Sequence, residues 1–271
     1  MEEISFLTLV KAYPAFSRQY GEVSCVAGLR LDTESGRPEW IRLYPIPFRT
    51  LEHDQQFRKY QAISLEVVTH SGDRRPESRR PNCDSIRTTD SVLSSRNGWR
   101  ARRPIIEPVI EQSMCSLLHQ QQDTKKSIGM FRPREVHDLE ISHRNVSQEK
   151  QLAAQAWAAQ PSLLAEASEK PALLKALDLI PYTFKYSYVC MDPDCSGHTQ
   201  TIVDWEIMQF YRRVRRLNNW PEILRNKWLN KLCGPERDTA FIVGNQHQGP
   251  RAFLVLGIWW PPRVPEQLSL P

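Results

Sequence analysis

The chain has 271 residues, 40% of them hydrophobic and 25% charged, with a formal net charge of +5. That balance is too apolar for a disordered chain and too mixed for a coiled coil, a collagen or a set of membrane-spanning helices. Its 20 prolines against 11 glycines favour strands and stiff turns over long helices. The six cysteines, at 25, 83, 115, 190, 195 and 233, lack the density of a secreted disulfide scaffold. The start MEEISFLTLVKAYP is acidic with only a short apolar run, unlike a secretory signal, so a reduced, cytoplasmic setting is expected.

Up to about residue 70 the pattern is strand-like. Ile4 to Val10, Val23 to Leu31, Trp40 to Tyr44 and Ile63 to Val68 are short apolar or β-branched runs separated by turn signals such as ESGRP and PIP. Their spacing predicts a small barrel or curled antiparallel sheet. Thr50 to Tyr60 is predicted to form one short helix with Leu51, Phe57 and Tyr60 inward. Residues 71–104, rich in Arg, Pro, Ser and Asn, are predicted to be a long loop. Ile106, Val109, Ile110, Met114 and Leu117 recur at helical spacing. Lys125 to Arg134 reads as a basic turn, VHDLEI as a strand, and 148–178 as one or two Ala- and Leu-rich helices broken at Pro161 and Pro171.

The C-terminal third is the most patterned. Tyr182 to Val189 alternates aromatic and polar residues as a strand does. Val203, Ile207, Phe210, Val214 and Leu217 lie three or four apart and define an amphipathic helix. Asn219, Pro221 and Glu222 open a second helix whose apolar face is Leu224, Trp228 and Leu232. Ala240 to Val243 and Ala252 to Trp260 are continuous apolar runs, expected to pair as two buried strands around Gln248-Gly249-Pro250.

Cys190-x4-Cys195-x2-His198 is the strongest chemical constellation. Two thiolates and an imidazole on one tight turn suit a tetrahedral zinc ion, with Pro193 stiffening the turn and Gly197 free to adopt a positive φ. Cys233, His247 or Cys25 could supply a fourth ligand, and the sequence selects none of them; Cys115 reads as a core residue. Asp204 and Glu206, with His198, could form a nuclease-like metal or acid/base set. Residues two apart on a helix point about 200° apart, however, so Asp204 is better explained as a cap and Glu206 as first-turn charge.

Charge is concentrated. Residues 71–104 hold nine Arg against four acids, a local +5, and 210–231 hold seven basic residues against one Glu, a local +6, so the remainder is net negative. Such segments suit a polyanion. The candidate nucleic-acid contacts are Arg74, Arg75, Arg79, Arg80, Arg100, Arg102 and Arg103 in the first segment. In the second they are Arg212, Arg213, Arg216, Arg225 and Lys227, interleaved with Trp220 as a stacking surface. Lys125 and Lys126 open a turn in which small residues let backbone N–H groups approach an anion. Gly244-Asn245-Gln246-His247-Gln248, between two buried strands, is a hairpin loop or a place for a base- or ligand-reading site. No Walker or dinucleotide signature is present.

These readings predict an α+β fold: an N-terminal barrel-like sheet with an Arg-rich loop (1–145), then a helical connector and a zinc-knuckle α/β portion (146–271). The expected function is nucleic-acid binding, DNA or RNA, with a structural zinc, as a candidate subunit of a larger nucleoprotein complex. A metal-dependent nuclease and a subunit that meets an acidic protein partner are the alternatives.

Overall fold

The computed structural model describes residues 1–17, 19–70, 72–150 and 178–264. The fold is α+β, with a closed five-stranded barrel at its N-terminal end and few helices. In chain order the strands are β1 (Glu2–Lys11), β2 (Ala15–Ser17), β3 (Gly21–Arg30), β4 (Glu39–Ile46), β5 (Gln61–Thr69), β6 (Ser78–Pro81) and β7 (Arg87–Val92). The ring runs β1-β3-β4-β6-β5 and closes through β5 onto β1; β2 pairs outside it with β3, and β7 with β5. All ring pairs are antiparallel except β4 with β6.

The four strands expected up to residue 70 are present as β1, β3, β4 and β5, with the short β2 in addition. Residues 71–104 differ: β6 and β7 lie within this stretch, and β6 is the barrel's fifth stave. Ser78 is the buried residue of SRRP, and two register pairs with β4 suffice to close the ring. Thr50 to Tyr60 forms only a 3-10 turn at His53–Gln55, although Leu51, Phe57 and Tyr60 are buried as expected.

The C-terminal portion contains β8 (Ile110–Glu111), α1 (Met114–Thr124), β9 (Ile128–Phe131), β10 (Pro133–His143), β11 (Tyr182–Cys190), β12 (His198–Thr201), α2 (Trp205–Val214), α3 (Trp220–Arg225) with a π-helical continuation at Asn226–Lys231, β13 (Ala240–Gln246) and β14 (Gly249–Trp259). Strands β14-β13-β9-β8 form one sheet and β10-β11-β12 another. The single helix expected from Ile106 onward is broken up: Arg103–Ile106 and Glu107–Val109 form one helical turn each, Ile110–Glu111 is extended as β8, and the regular helix starts at Met114, where Ser113 caps it by accepting from the Ser116 N–H at 3.0 Å. The Lys125 turn is short, since Ile128 to Phe131 belongs to β9; Gly129 lies in that strand, where a Cβ would meet Leu117 Cδ2 at 2.5 Å. The helical connector expected over 148–178 lies almost wholly outside the described residues.

The division expected at 145/146 falls between β10 and β11, which pair from Pro133↔Cys190 to His143↔Tyr182.

The β14-β13-β9-β8 sheet is the middle layer. Phe241, Val243, Phe253 and Val255 face a core with Phe184, Tyr186, Ile207 and Trp228. Ala240, Ile242, Leu256 and Trp259 face the barrel, against Leu7, Leu9, Ala27 and Leu29. Burial of both faces explains why AFLVLGIWW is continuously apolar. The barrel has its own interior of Ile4, Phe6, Val26, Ile41, Leu43 and Ile63, so β1 too is apolar on both faces.

A buried polar joint crosses the barrel interface. Arg42, 4% exposed, donates through Nη1 to the Asn245 carbonyl and through Nη2 to the Ser127 carbonyl, each at 2.8 Å. Gly244 makes this approach possible: a Cβ there would stand 2.5 Å from Arg42 Nη2 and 2.8 Å from Leu256 Cδ1. Gly244→Ala is therefore expected to destabilise the protein by about 1–3 kcal/mol, the usual cost of overpacking. An unchanged urea midpoint would show that the joint is loose.

Candidate metal centre and barrel cleft

Cys115, Cys190, Cys195 and His198 present ligand atoms that all lie within 4.8 Å of one another. Strand β11 ends on Cys190. The Asp192 side chain accepts from the Asp194 N–H at 3.0 Å, and its carbonyl accepts from the Cys195 N–H at 3.2 Å. Gly197, at φ +99°, turns the chain back so that His198 can pair with Tyr188 as β12 begins. Cys115 comes from the first turn of α1, where the helix dipole favours a thiolate.

The spacing fits a tetrahedral ion. Metal–sulfur bonds near 2.3 Å and metal–nitrogen bonds near 2.0 Å place ligands about 3.8 Å (S···S) and about 3.5 Å (S···N) apart. Cys115 Sγ lies 3.6 Å from Cys190 Sγ and 3.5 Å from His198 Nε2. All six cysteines are unbridged. Burial, followed by the adjoining thiols of Cys190 and Cys195, pushes Cys115 up to about 12. Burial also pushes Cys190 up, but backbone donors at Cys115 and Asp192 and contacts with Cys195 and His198 outweigh it and bring the thiol down to about 6. Three thiols and an imidazole gathered in one half-buried pocket are compatible with a bound cation such as zinc.

The three sequence-predicted ligands are thus together, and the fourth member is Cys115 rather than Cys233, His247 or Cys25. Cys233 is buried against the Trp228 carbonyl at 3.4 Å, with its thiol pushed up to about 12 by that burial. His247 approaches Asp73, and Cys25 lines a cleft on the barrel.

Asp204 and Glu206 do not join His198. Asp204 caps α2, accepting from the Glu206 N–H at 2.8 Å, and Glu206 pairs with Lys59 at 2.8 Å. His198 instead faces the three thiols. The residues named for a nuclease are split between two environments.

The cleft occupies about 670 Å³ on the outer face of β3 and β4. Its walls are the β1–β3 connection (Tyr13, Phe16, Tyr20), the barrel surface (Cys25, Arg42, Tyr44), the β5–β6 connection (His70, Asp73, Arg75) and the β13–β14 hairpin (Asn245 to Gln248). Tyr20 and Tyr44 meet edge to face with centroids 6.2 Å apart. Arg75 Nη2 pairs with Asp73 at 2.6 Å and Arg75 Nη1 donates to the Asn245 carbonyl at 2.9 Å, which rigidifies the β5–β6 connection. Asp73 is the sole carboxylate among the lining residues, and its bonds from Arg75 and Ser78 overcome burial and hold it well below the usual carboxylate range. The polar 244–248 cluster singled out in the sequence thus lines a real concavity.

The basic residues are dispersed. Arg102 is 8% exposed, donates to the Leu93 carbonyl and lies 3.7 Å over the Tyr60 ring, at the wall of a shallow pocket shared with Arg58 and Lys59. Arg103 is held by Glu107, Asp238 and the Pro262 carbonyl, and Lys126 by Glu111 and Gln120. Arg79 bonds the Pro76 and Ser78 carbonyls, Lys125 the Gln122 carbonyl, and Arg225 stands 3.9 Å from Asp138. Lys227 lies over Trp260, and Trp220 packs between Tyr182 and Tyr211. Arg74, Arg80, Arg100, Arg213 and Arg216 are exposed, Arg74 beside the cleft. Arg212 pairs with Asp178, whose carbonyl accepts from the Tyr13 hydroxyl, so the basic face of α2 reaches the cleft rim.

A family profile covers more than half of the chain: residues 110–270 match a domain of unknown function, DUF8757, and the chain belongs to that family. Residues 2–108 match a second domain of unknown function, DUF8758, so the two profiles meet where the barrel and its flanking turns give way to β8. No curated protein matches the chain. Among the described residues no helix is long and apolar enough to cross a membrane.

Proposed function

We propose that the protein binds single-stranded nucleic acid in the barrel cleft and that the Cys3His group holds a structural zinc. The carrying observation is the barrel's connectivity. Numbered along the ring's own strands, the order is 1-2-3-5-4-1 with 3 and 5 parallel, which is the connectivity of OB-fold barrels. Such barrels bind oligonucleotides on the face of strands 2 and 3, between the 1–2 and 4–5 loops. The cleft lies on that face, bounded by those two connections, with Phe16, Tyr20 and Tyr44 as ring surfaces and Arg75 beneath. Aromatic rings stack on exposed bases of any sequence, and a duplex offers them none. Four protein ligands leave a zinc ion no open position, which supports a structural role over a catalytic one.

Fluorescence anisotropy with labelled single strands and the matching duplex tests the reading. Single strands are expected to bind more tightly than duplex at about 50 mM salt, with log affinity falling by about 0.7 per phosphate neutralised per decade of salt. Tyr44→Ala should weaken single-strand binding roughly 5- to 100-fold, the usual worth of one stacked base. Equal affinity for duplex, or no effect of Tyr44→Ala, would overturn it.

A further inference from the structure

We infer that the pocket walled by Arg58, Lys59 and Arg102 binds the dianionic phosphate of a phosphomonoester. It shares no lining residue with the cleft and does not depend on the single-strand reading. Its volume is about 560 Å³, within the usual range for small ligands. The pocket opens where the two profile-matched portions meet. Arg58, Lys59 and Tyr60 come from the connection into β5, and Trp99 and Arg102 from the turns that follow β7. Glu206, in the first turn of α2, and Trp260, just past β14, contribute from the other portion.

Aromatic rings hold Arg102 in place. Its guanidinium carbon lies 3.7 Å from the centroid of the Tyr60 ring and 4.5 Å from that of Trp99. Tyr60 and Trp99 meet edge to face at 5.6 Å, and Trp99 meets Trp260 at 5.2 Å. Tyr60 (φ +64°) and Trp99 (φ +65°) both have left-handed backbone, which bulky residues rarely adopt and which the surrounding fold must impose. Arg102 Nε donates to the Leu93 carbonyl at 2.8 Å, while Nη1 and Nη2 have no carbonyl or carboxylate partner among the described residues. Neither of those nitrogens is among the buried atoms without a partner, so both keep access to the pocket that the side chain lines. A charge this deeply placed is costly without a counterion, and a guanidinium cannot shed its proton to avoid the cost. An anion in the pocket supplies the missing partner.

The balance of charge selects the anion. Lys59 pairs with Glu206 at 2.8 Å, whereas Arg58 is exposed and pairs with no carboxylate among the described residues. Three cations thus face one carboxylate, a surplus of two. Behind this wall, Lys11 and Asp204 both act on Lys59 and Glu206, and their opposite signs leave the surplus nearly unchanged. A phosphomonoester carries close to two negative charges at neutral pH, with three acceptor oxygens for the two guanidinium forks and the ammonium. A phosphodiester, as inside a strand, offers one charge and meets half the surplus. The Ser95 hydroxyl is a further donor at the exposed rim, and the half-buried Trp260 presents apolar surface to the carbon part of the ligand.

Isothermal titration calorimetry near neutral pH with adenosine 5′-monophosphate, its phosphate methyl ester and adenosine tests the site. The wild-type protein should bind the monophosphate about tenfold more tightly than the methyl ester, which keeps the ring and one charge, and adenosine more weakly still. Arg58→Gln removes an exposed side chain and should weaken the monophosphate about tenfold. Glu206→Gln removes the one carboxylate among the lining residues and should strengthen it roughly 3- to 10-fold, a gain that a purely structural cluster would not give. DNA strands with and without a 5′-phosphate distinguish the source of the group. A gain of about tenfold from the terminal phosphate, lost in Arg58→Gln, assigns the pocket to strand ends. No such gain beside monophosphate binding assigns it to free phosphomonoesters. Equal affinity for monophosphate and methyl ester, no effect of Arg58→Gln, or no response to phosphate in either form overturns the site and leaves the cleft reading standing.

Discussion

Replacing Cys115 by serine should strip the metal from a knuckle that lies 75 residues away in the chain. As purified without chelator, the protein is expected to hold about one zinc per chain, and both Cys115→Ser and Cys195→Ser should reduce that to near zero. The consequence for folding is large, because a site assembled from α1, β11 and β12 exists only in the native state, so its binding free energy adds to folding free energy. A zinc concentration a thousandfold above the dissociation constant contributes about 4 kcal/mol. The urea midpoint of the C-terminal portion should fall accordingly in either variant, and chelator should lower the wild type to the same level. Retention of one zinc by Cys115→Ser but not by Cys195→Ser would mean that the fourth ligand lies elsewhere.

Cys115 shows where sequence reasoning stops. Cys190, Cys195 and His198 share one turn, and their spacing alone announces a ligand set. Cys115 sits in an apolar run beside Met114 and Leu117, where a thiol reads as a small core side chain. What distinguishes it is its position in the first turn of a helix delivered to that knuckle, which is tertiary information. A weaker signal existed: Ser113 is a good cap, and a helix beginning there puts Cys115 at its positive end. Arg42 was hidden for the opposite reason. In WIRLY it occupies the outward phase of a barrel strand, where an arginine ordinarily meets water. Here the outward face is covered by β13, and the arginine serves two carbonyls.

The barrel was legible for β1, β3, β4 and β5, whose apolar runs are long. Strand β6 was not, because SRRP has one inward residue and a proline, composition that reads as loop. The ring nevertheless depends on it, since β6 bridges β4 and β5. Part of the formal charge of the basic segments is used inside the fold. Arg103 and Lys126 are spent on internal partners, so the local sums overstate what faces solvent. The polar cluster at 244–248 gained meaning only when the barrel folded over it. Its neighbours across the cleft, Tyr20, Tyr44 and His70, come from three different stretches of chain.

Raising the pH from about 4 to about 7 should weaken the wild-type fold through Asp204, and Asp204→Asn should remove that loss. The carboxyl is 2% exposed; Oδ1 caps α2 and Oδ2 has no partner. Burial lifts its pKa to about 7, with Lys59 opposing and Glu206 reinforcing the rise. The unfolded value is about 3.9. Between those two values the native state keeps a proton that the unfolded state has released, so stability falls as pH rises through the window. The full loss, reached above pH 7, is at most about 4 kcal/mol. Asparagine caps as well as aspartate and cannot ionise, so the variant should match the wild type below about pH 4, exceed it by about 1.5 kcal/mol at pH 5 and by up to about 4 kcal/mol near pH 8. Urea denaturation of both proteins at both pH values gives the difference directly, and pH effects on the metal ligands, common to the pair, cancel. A gap between variant and wild type that is the same at pH 5 and pH 8 would mean that Asp204 is ionised throughout, with Lys59 compensating its charge in full.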